Sequence, residues 1–157
     1  MPRVKHYFEP GGFYHITTRT LGGEQAFATE EAKRLVVRAL SYYRRAGRWR
    51  VYAFVVMANH VHSVVSANLG ALSDTVRDFK KWIWHELARP ENTSLWERRY
   101  DDNAIGSLRE MKQVTEYVHH NPVRIGLVRR PEDYFWASAR NYAGLKPVAM
   151  EVDMDWL

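Results

Sequence analysis

Cysteine is absent from the 157 residues, which excludes disulfides and thiolate metal sites. No apolar run approaches the about 18 residues that a membrane-spanning helix requires, so no membrane partner is expected. The opening Met1-Pro2-Arg3-Val4-Lys5-His6 lacks the apolar centre of a secretory signal, and a cytoplasmic location is the expectation. Internal repeats, low-complexity tracts and interdomain linkers are also missing. The length then favours a single domain over residues 1–157. Tyr134, Phe135 and Trp136 are too apolar for a loose end, so the tail from about residue 130 to 157 is expected to pack on that domain.

Acidic residues are outnumbered, 18 against 23 Lys and Arg, for a net charge of +5 and a pI near 9.6. That balance points to a polyanionic partner. Arg44, Arg45, Arg48 and Arg50 cluster around one predicted helix end. Arg124, Arg129 and Arg130 lie in a stretch free of acids, whereas Glu151, Asp153 and Asp155 collect near the C-terminus.

Residues 13–19 read as a first strand. Thr29 is a plausible N-cap, with Glu30 and Glu31 in the first turn, Arg44 and Arg45 in the last, and Gly47 at the exit. A run from Trp49 to Met57 and a second from Asn59 to Val65, joined by Met57-Ala58-Asn59, form an antiparallel hairpin. Ser73 caps a helix over roughly 74–88, whose apolar stripe is Leu72, Val76, Phe79, Ile83 and Leu87. Arg77, Lys80, Lys81 and Trp84 fall on another face and suit single-stranded nucleic acid. Leu95–Tyr100 reads as a fourth strand, continuing toward Ile105. Ser107 and Glu110 form a capping box, and Asn121-Pro122 closes that third helix. The residues from Arg130 read as a turn and a short amphipathic helix. The order β α β β α β α gives an α+β fold, one antiparallel sheet with helices mainly on one face.

Along a strand alternate side chains share a face, so His60 and His62 point the same way with Cα atoms roughly 6.5–7 Å apart. Two imidazoles at that spacing can converge on one ion. Tyr117 and Asn121 share a helix face at i, i+4. If that face lies over the histidines, two ring nitrogens and an amide oxygen can hold a divalent ion beside a phenol. Such a set leaves positions for water and phosphate oxygens, which suits magnesium or manganese. By residue type alone, Tyr117 also fits a half-buried core tyrosine and Asn121 a helix-terminus residue, and spacing leaves both readings open.

The context Val56-Met57-Ala58-Asn59-His60-Val61-His62 resembles the HUH signature of single-tyrosine transposases. Tyr117-Val118-His119-His120-Asn121-Pro122-Val123-Arg124, with Pro131 to Tyr134 and Trp136, resembles the REP-associated tyrosine transposase branch. Tyr14-His15-Ile16-Thr17 and Leu95-Trp96 also fit, so the likeness spans nearly the whole chain. Ala58 and Phe135 depart from it at positions where proline is usual.

The resemblance implies a ferredoxin-like or RRM-like sheet and metal-dependent cleavage and rejoining of single-stranded DNA at hairpin (REP-like) sites. It makes Tyr117 the nucleophile, forming a 5′-phosphotyrosine, and His60, His62 and Asn121 the ligands of a Mg2+ or Mn2+ ion. The expected DNA contacts are Arg3, Lys5, Arg19, Lys80, Lys81, Arg98, Arg99 and Arg124. His119 and His120 could tune that site or compete for it. The resemblance is compatible with a monomer or a homodimer. Two other readings compete. A domesticated DNA-hairpin binder without productive catalysis draws on the basic patches and aromatics. An unrelated metallohydrolase built on His-x-His would need carboxylates near the histidines, and the hairpin holds none.

Overall fold

The structure, a computed structural model, describes residues 12–67 and 71–157. Four strands form one antiparallel sheet in the order β2-β3-β1-β4: β1 (Phe13–Arg19), β2 (Arg50–Val56), β3 (His60–Ser66) and β4 (Asp101–Ile105). Two helices make the crossovers, α1 (Glu30–Arg45) from β1 to β2 and α2 (Ala71–Glu86) from β3 to β4. Each is a split β-α-β unit, and the right-handed rule sends both helices to the same face. This is the ferredoxin-like arrangement. α1 and α2 pack on each other over the face that carries Ile16, Phe54, Val56, Val61 and Val65, all buried.

The opposite face carries His60 and His62 of β3. Register places Thr17 across from His62 and Arg19 across from His60 on β1, and Asp101 of β4 across from Thr17. A third helix, α3 (Leu108–Arg124), lies over this face and buries Met111, Thr115 and Val118. Its start follows the capping box: the Ser107 hydroxyl accepts the Glu110 N–H at 3.1 Å, and the Glu110 carboxylate accepts the Gly106 N–H at 2.9 Å.

Its end differs from expectation, because Pro122 sits inside the helix and not at its close. Pro122 has no N–H to give to the Val118 carbonyl. The Asn121 side-chain amide replaces that donor, reaching the carbonyls of Tyr117 at 3.0 Å and Val118 at 3.4 Å. The helix therefore runs one turn further. It stops where Gly126 takes the left-handed φ of 80° and the Leu127 N–H bonds the Pro122 carbonyl, a closure that needs glycine.

Two more boundaries move. α2 starts at Ala71, so Ser73 lies within the helix and does not cap it. The fourth strand is Asp101–Ile105, and of the Leu95–Tyr100 run only Trp96 makes a bridge, to Thr20. Leu95 and Trp96 are drawn into the core: the Trp96 indole N–H donates to the Lys80 carbonyl, and its ring packs on Phe27 and Phe79. Strand β4 reads Asp-Asp-Asn-Ala-Ile, a composition poor in strand formers that an edge position tolerates.

The tail runs along the free edge of β2. Ala137 bridges Val55, and the Val56 N–H bonds the Trp136 carbonyl at 2.9 Å. Further on, the backbones of Asp153 and Val51 bond, and the Asp153 carboxylate accepts both the Arg44 guanidinium, at 3.0 and 3.1 Å, and the Val51 N–H. In place of one amphipathic helix there is a 3-10 turn (Pro131–Asp133) and a single helical turn, α4 (Ala139–Tyr142).

Candidate active site

Strand alternation and the tilt of α3 bring four of the sequence-derived residues together. The His60 and His62 rings lie 5.0 Å apart, nearly perpendicular. The Tyr117 ring stands edge-on over His62 at 5.6 Å and remains 44% exposed, open to a substrate. Asn121 is buried beside them. With the Asn121 N–H groups spent on the helix, its oxygen faces outward and accepts from Arg124 at 3.1 Å.

Arg124 completes the group. Its guanidinium lies 4.8 Å from the centre of the Tyr117 ring and 3.4 Å from the phenol oxygen. It can do so only because α3 continues past Pro122, which puts residues 117, 121 and 124 on one helix face.

Each of the two histidines is held through its Nδ1 nitrogen. His60 Nδ1 faces the Asn59 side-chain oxygen Oδ1 at 2.7 Å, so it carries the proton and leaves the Nε2 lone pair free. His62 Nδ1 faces His15 Nε2 and Thr17 Oγ1, each at 3.0 Å, which again turns Nε2 to the other side. Partners on the far nitrogen of each ring are the usual support of ligating histidines. Burial, joined by His15, His60, Arg19 and Arg124, pushes His62 down to about 3. Burial, with Arg19 and Arg124, lowers His60, and burial lowers His15. All three are neutral near pH 7, the form that binds a cation.

Among the described residues no three His, Cys, Asp or Glu side chains gather to hold a metal. Any ion here would take two imidazoles and the Asn121 amide oxygen, which keeps a free lone pair beside Arg124. That neutral N,N,O set fits a hard or borderline divalent ion with open positions.

His15 and Thr17 were not among the expected site residues. Their signal was available: two polar side chains at i, i+2 on a strand face one way, as do His60 and His62. His119, which could have competed for the site, instead points to the tail, pairing with Ser138 Oγ at 2.7 Å beside the Tyr142 ring. His120 is exposed.

The expected DNA contacts divide. Arg19 lies on the histidine face and pairs with Asp101 at 2.6 Å. Exposed Arg98 and Arg99 follow Glu97, whose N–H bonds the Arg19 carbonyl at 2.8 Å, so they reach the same end of the sheet as His60. Lys80 is drawn inward, its ammonium on the Glu97 carbonyl at 3.1 Å and 5.9 Å from the Trp96 ring centre, which leaves Lys81 as the open cation of that pair. Trp84 donates to the Thr93 carbonyl and Arg77 pairs with Asp74 and Asp78, so this face of α2 is no free stacking platform. Arg3 and Lys5 lie outside the described residues. Three of the four arginines in the cluster near residue 44 are paired, Arg44 with Asp153, Arg48 with Asp78 and Arg50 with Asp155, while Arg45 is exposed.

Comparison with known proteins decides the family. The IS200-like transposase profile matches residues 11–121, from the first strand to Asn121. The chain belongs to the IS200-like transposase family. The chain is also 24% identical over 152 residues to the REP-associated tyrosine transposase of Escherichia coli (strain K12), covering 94% of the chain and 90% of that protein. Its fold matches the structure of a REP-associated tyrosine transposase bound to a REP hairpin, with a TM-score of 0.76 at 22% identity, over 98% of this chain and 93% of that one. Among the described residues no helix is long and apolar enough to cross a membrane.

Proposed function

We propose that this transposase cleaves and rejoins single-stranded DNA at hairpin sites, with Tyr117 as the nucleophile and a divalent cation held by His60, His62 and Asn121. The observation that carries this is the placement of a half-exposed Tyr117 directly over His62 with Arg124 beside its phenol oxygen. Similarity to a relative whose structure holds a REP hairpin supports hairpin DNA as the substrate.

The Tyr117 oxygen attacks the phosphorus and gives up its proton. The bond from phosphorus to the 3′-oxygen breaks, and that oxygen leaves as a 3′-hydroxyl after taking a proton. One phosphodiester becomes one phosphotyrosine ester at the 5′ end. Attack by a 3′-hydroxyl reverses the exchange and joins strands without a nucleotide cofactor. Arg124 stands where charge develops on the phosphate and offsets it. His15 and Thr17 hold His62 in one orientation, and Asn59 does the same for His60. When bound, Mg2+ or Mn2+ supplies Lewis-acid polarisation of the phosphate.

A denaturing gel of protein with labelled hairpin DNA and manganese tests this. A slower covalent band that needs both the metal and Tyr117, and is lost in Tyr117→Phe while DNA binding persists, supports the reaction. Hairpin binding without a band under any divalent ion would favour a binder.

A further inference from the structure

We propose that Arg124 is a latch that makes cation binding conditional on DNA: it holds the Asn121 oxygen until a substrate phosphate draws its guanidinium away. The proposal rests on the reading that His60, His62 and Asn121 hold a divalent ion beside that phosphate.

The latch is a single nitrogen. Arg124 Nη2 donates to Asn121 Oδ1 at 3.1 Å and to the Tyr117 hydroxyl at 3.4 Å. One cationic group thus holds both the third candidate ligand and the candidate nucleophile. The Asn121 side chain cannot turn away, because it is buried and its N–H groups are bonded to the Tyr117 and Val118 carbonyls. An ion that uses the remaining lone pair of Oδ1 therefore faces a guanidinium across one atom.

The charge balance makes that arrangement unfavourable in the free protein. Two imidazoles and an amide bring no negative charge, and hard cations gain affinity with the charge of their ligands. After burial, Arg19 and Arg124 are among the groups that lower His60 and His62. The same positive field that opposes a proton there opposes a metal ion. Arg19 is answered by Asp101 at 2.6 Å. Arg124 is exposed, and among the described residues no carboxylate lies within ion-pair distance of it.

That difference leaves Arg124 able to change partners. Its two present acceptors are neutral oxygens, whereas a phosphate presents anionic oxygens to the guanidinium fork. The DNA phosphate takes the guanidinium, frees Asn121 Oδ1 for the ion and the phenol for attack, and sets a negative charge between the two cations. Cation and DNA then strengthen each other's binding by the same factor. The free protein stays poorly loaded at cation levels that load the DNA complex.

The histidine ring NMR signals, which bound Mn2+ broadens, report occupancy of this site. Mn2+ is titrated with and without a DNA hairpin that carries a single-stranded flank. The parent is Tyr117→Phe, so that no strand is cut, and it is compared with the same protein carrying Arg124→Ala or Arg124→Gln. With Arg124 present, the hairpin is expected to tighten Mn2+ binding at His60 and His62 about tenfold. Without DNA, either Arg124 variant is expected to bind Mn2+ about tenfold more tightly than the parent, and the gain on adding DNA should shrink accordingly. DNA-free affinities no higher in the variants, or a DNA-induced gain that is the same with and without Arg124, would overturn the latch and leave the ligand set standing. Mn2+ that broadens neither ring, with or without DNA, would remove the ligand set and the latch with it.

Discussion

Ser138 ties together the tail, the sheet and the helix that carries Tyr117, and its removal has a calculable cost. It is 0% exposed. Its Oγ accepts the Phe54 N–H of β2 at 2.9 Å and pairs with His119 Nε2 of α3 at 2.7 Å. Ser138→Ala leaves a buried backbone donor and a buried ring nitrogen without partners. Each costs about 1–3 kcal/mol, and with partial relaxation the loss should be about 2–4 kcal/mol. For a chain of this size that is a fall in Tm of roughly 6–12 °C and a sizeable share of a typical 5–15 kcal/mol stability. Urea unfolding followed by two probes measures it. A companion double variant, Ser138→Ala with His119→Phe, should cost less than the two single changes added together, because neither leaves the other stranded. A loss under about 0.5 kcal/mol with an unchanged slope on urea would refute the reasoning.

Three other expectations follow from the same geometry. His15→Leu should weaken Mn2+ binding about tenfold by freeing the His62 ring, whereas His15→Gln, which keeps an acceptor, should lose less; equal affinities across the set would remove His15 from the site. Arg124→Ala should lower the rate of covalent attachment by about 10² with a smaller effect on DNA affinity, and Arg124→Lys should recover only part because it cannot span Asn121 and the phenol together; an unchanged rate would exclude it from the reaction. Arg44→Ala should cost about 1–2 kcal/mol of stability through its two bonds to Asp153 and leave the salt dependence of DNA binding as it was; a shallower slope would return that arginine to the DNA surface.

Much of the fold was legible because local and long-range signals agree. Alternation in β3 gave the histidine face, and the caps at Thr29 and Ser107 sit where the sequence places them. The misses have physical causes. Pro122 reads as a helix stop, but a side-chain amide one residue earlier supplies the missing donor, a bond no propensity records. Strand β4 is too polar to look like a strand and is held by pairing with β1. Lys80 and Trp84 sit on a plausible DNA-facing stripe, yet the segment from Thr93 to Glu97 folds back over them. The basic cluster at Arg44 to Arg50 looked like a polyanion surface because the acids that pair with Arg44 and Arg50 lie 109 and 105 residues later in the chain, and that of Arg48 lies 30 residues later on another helix.

The central claim is that Tyr117 carries the 5′ end of cleaved DNA. Peptide mass spectrometry of the covalent complex, after nuclease trimming, tests it most directly. A nucleotide joined through its 5′-phosphate to the peptide containing Tyr117 is expected, together with a released strand ending in a 3′-hydroxyl. A nucleotide on any other of the nine tyrosines, or cleaved DNA bearing a free 5′-phosphate with no protein attached, would contradict it.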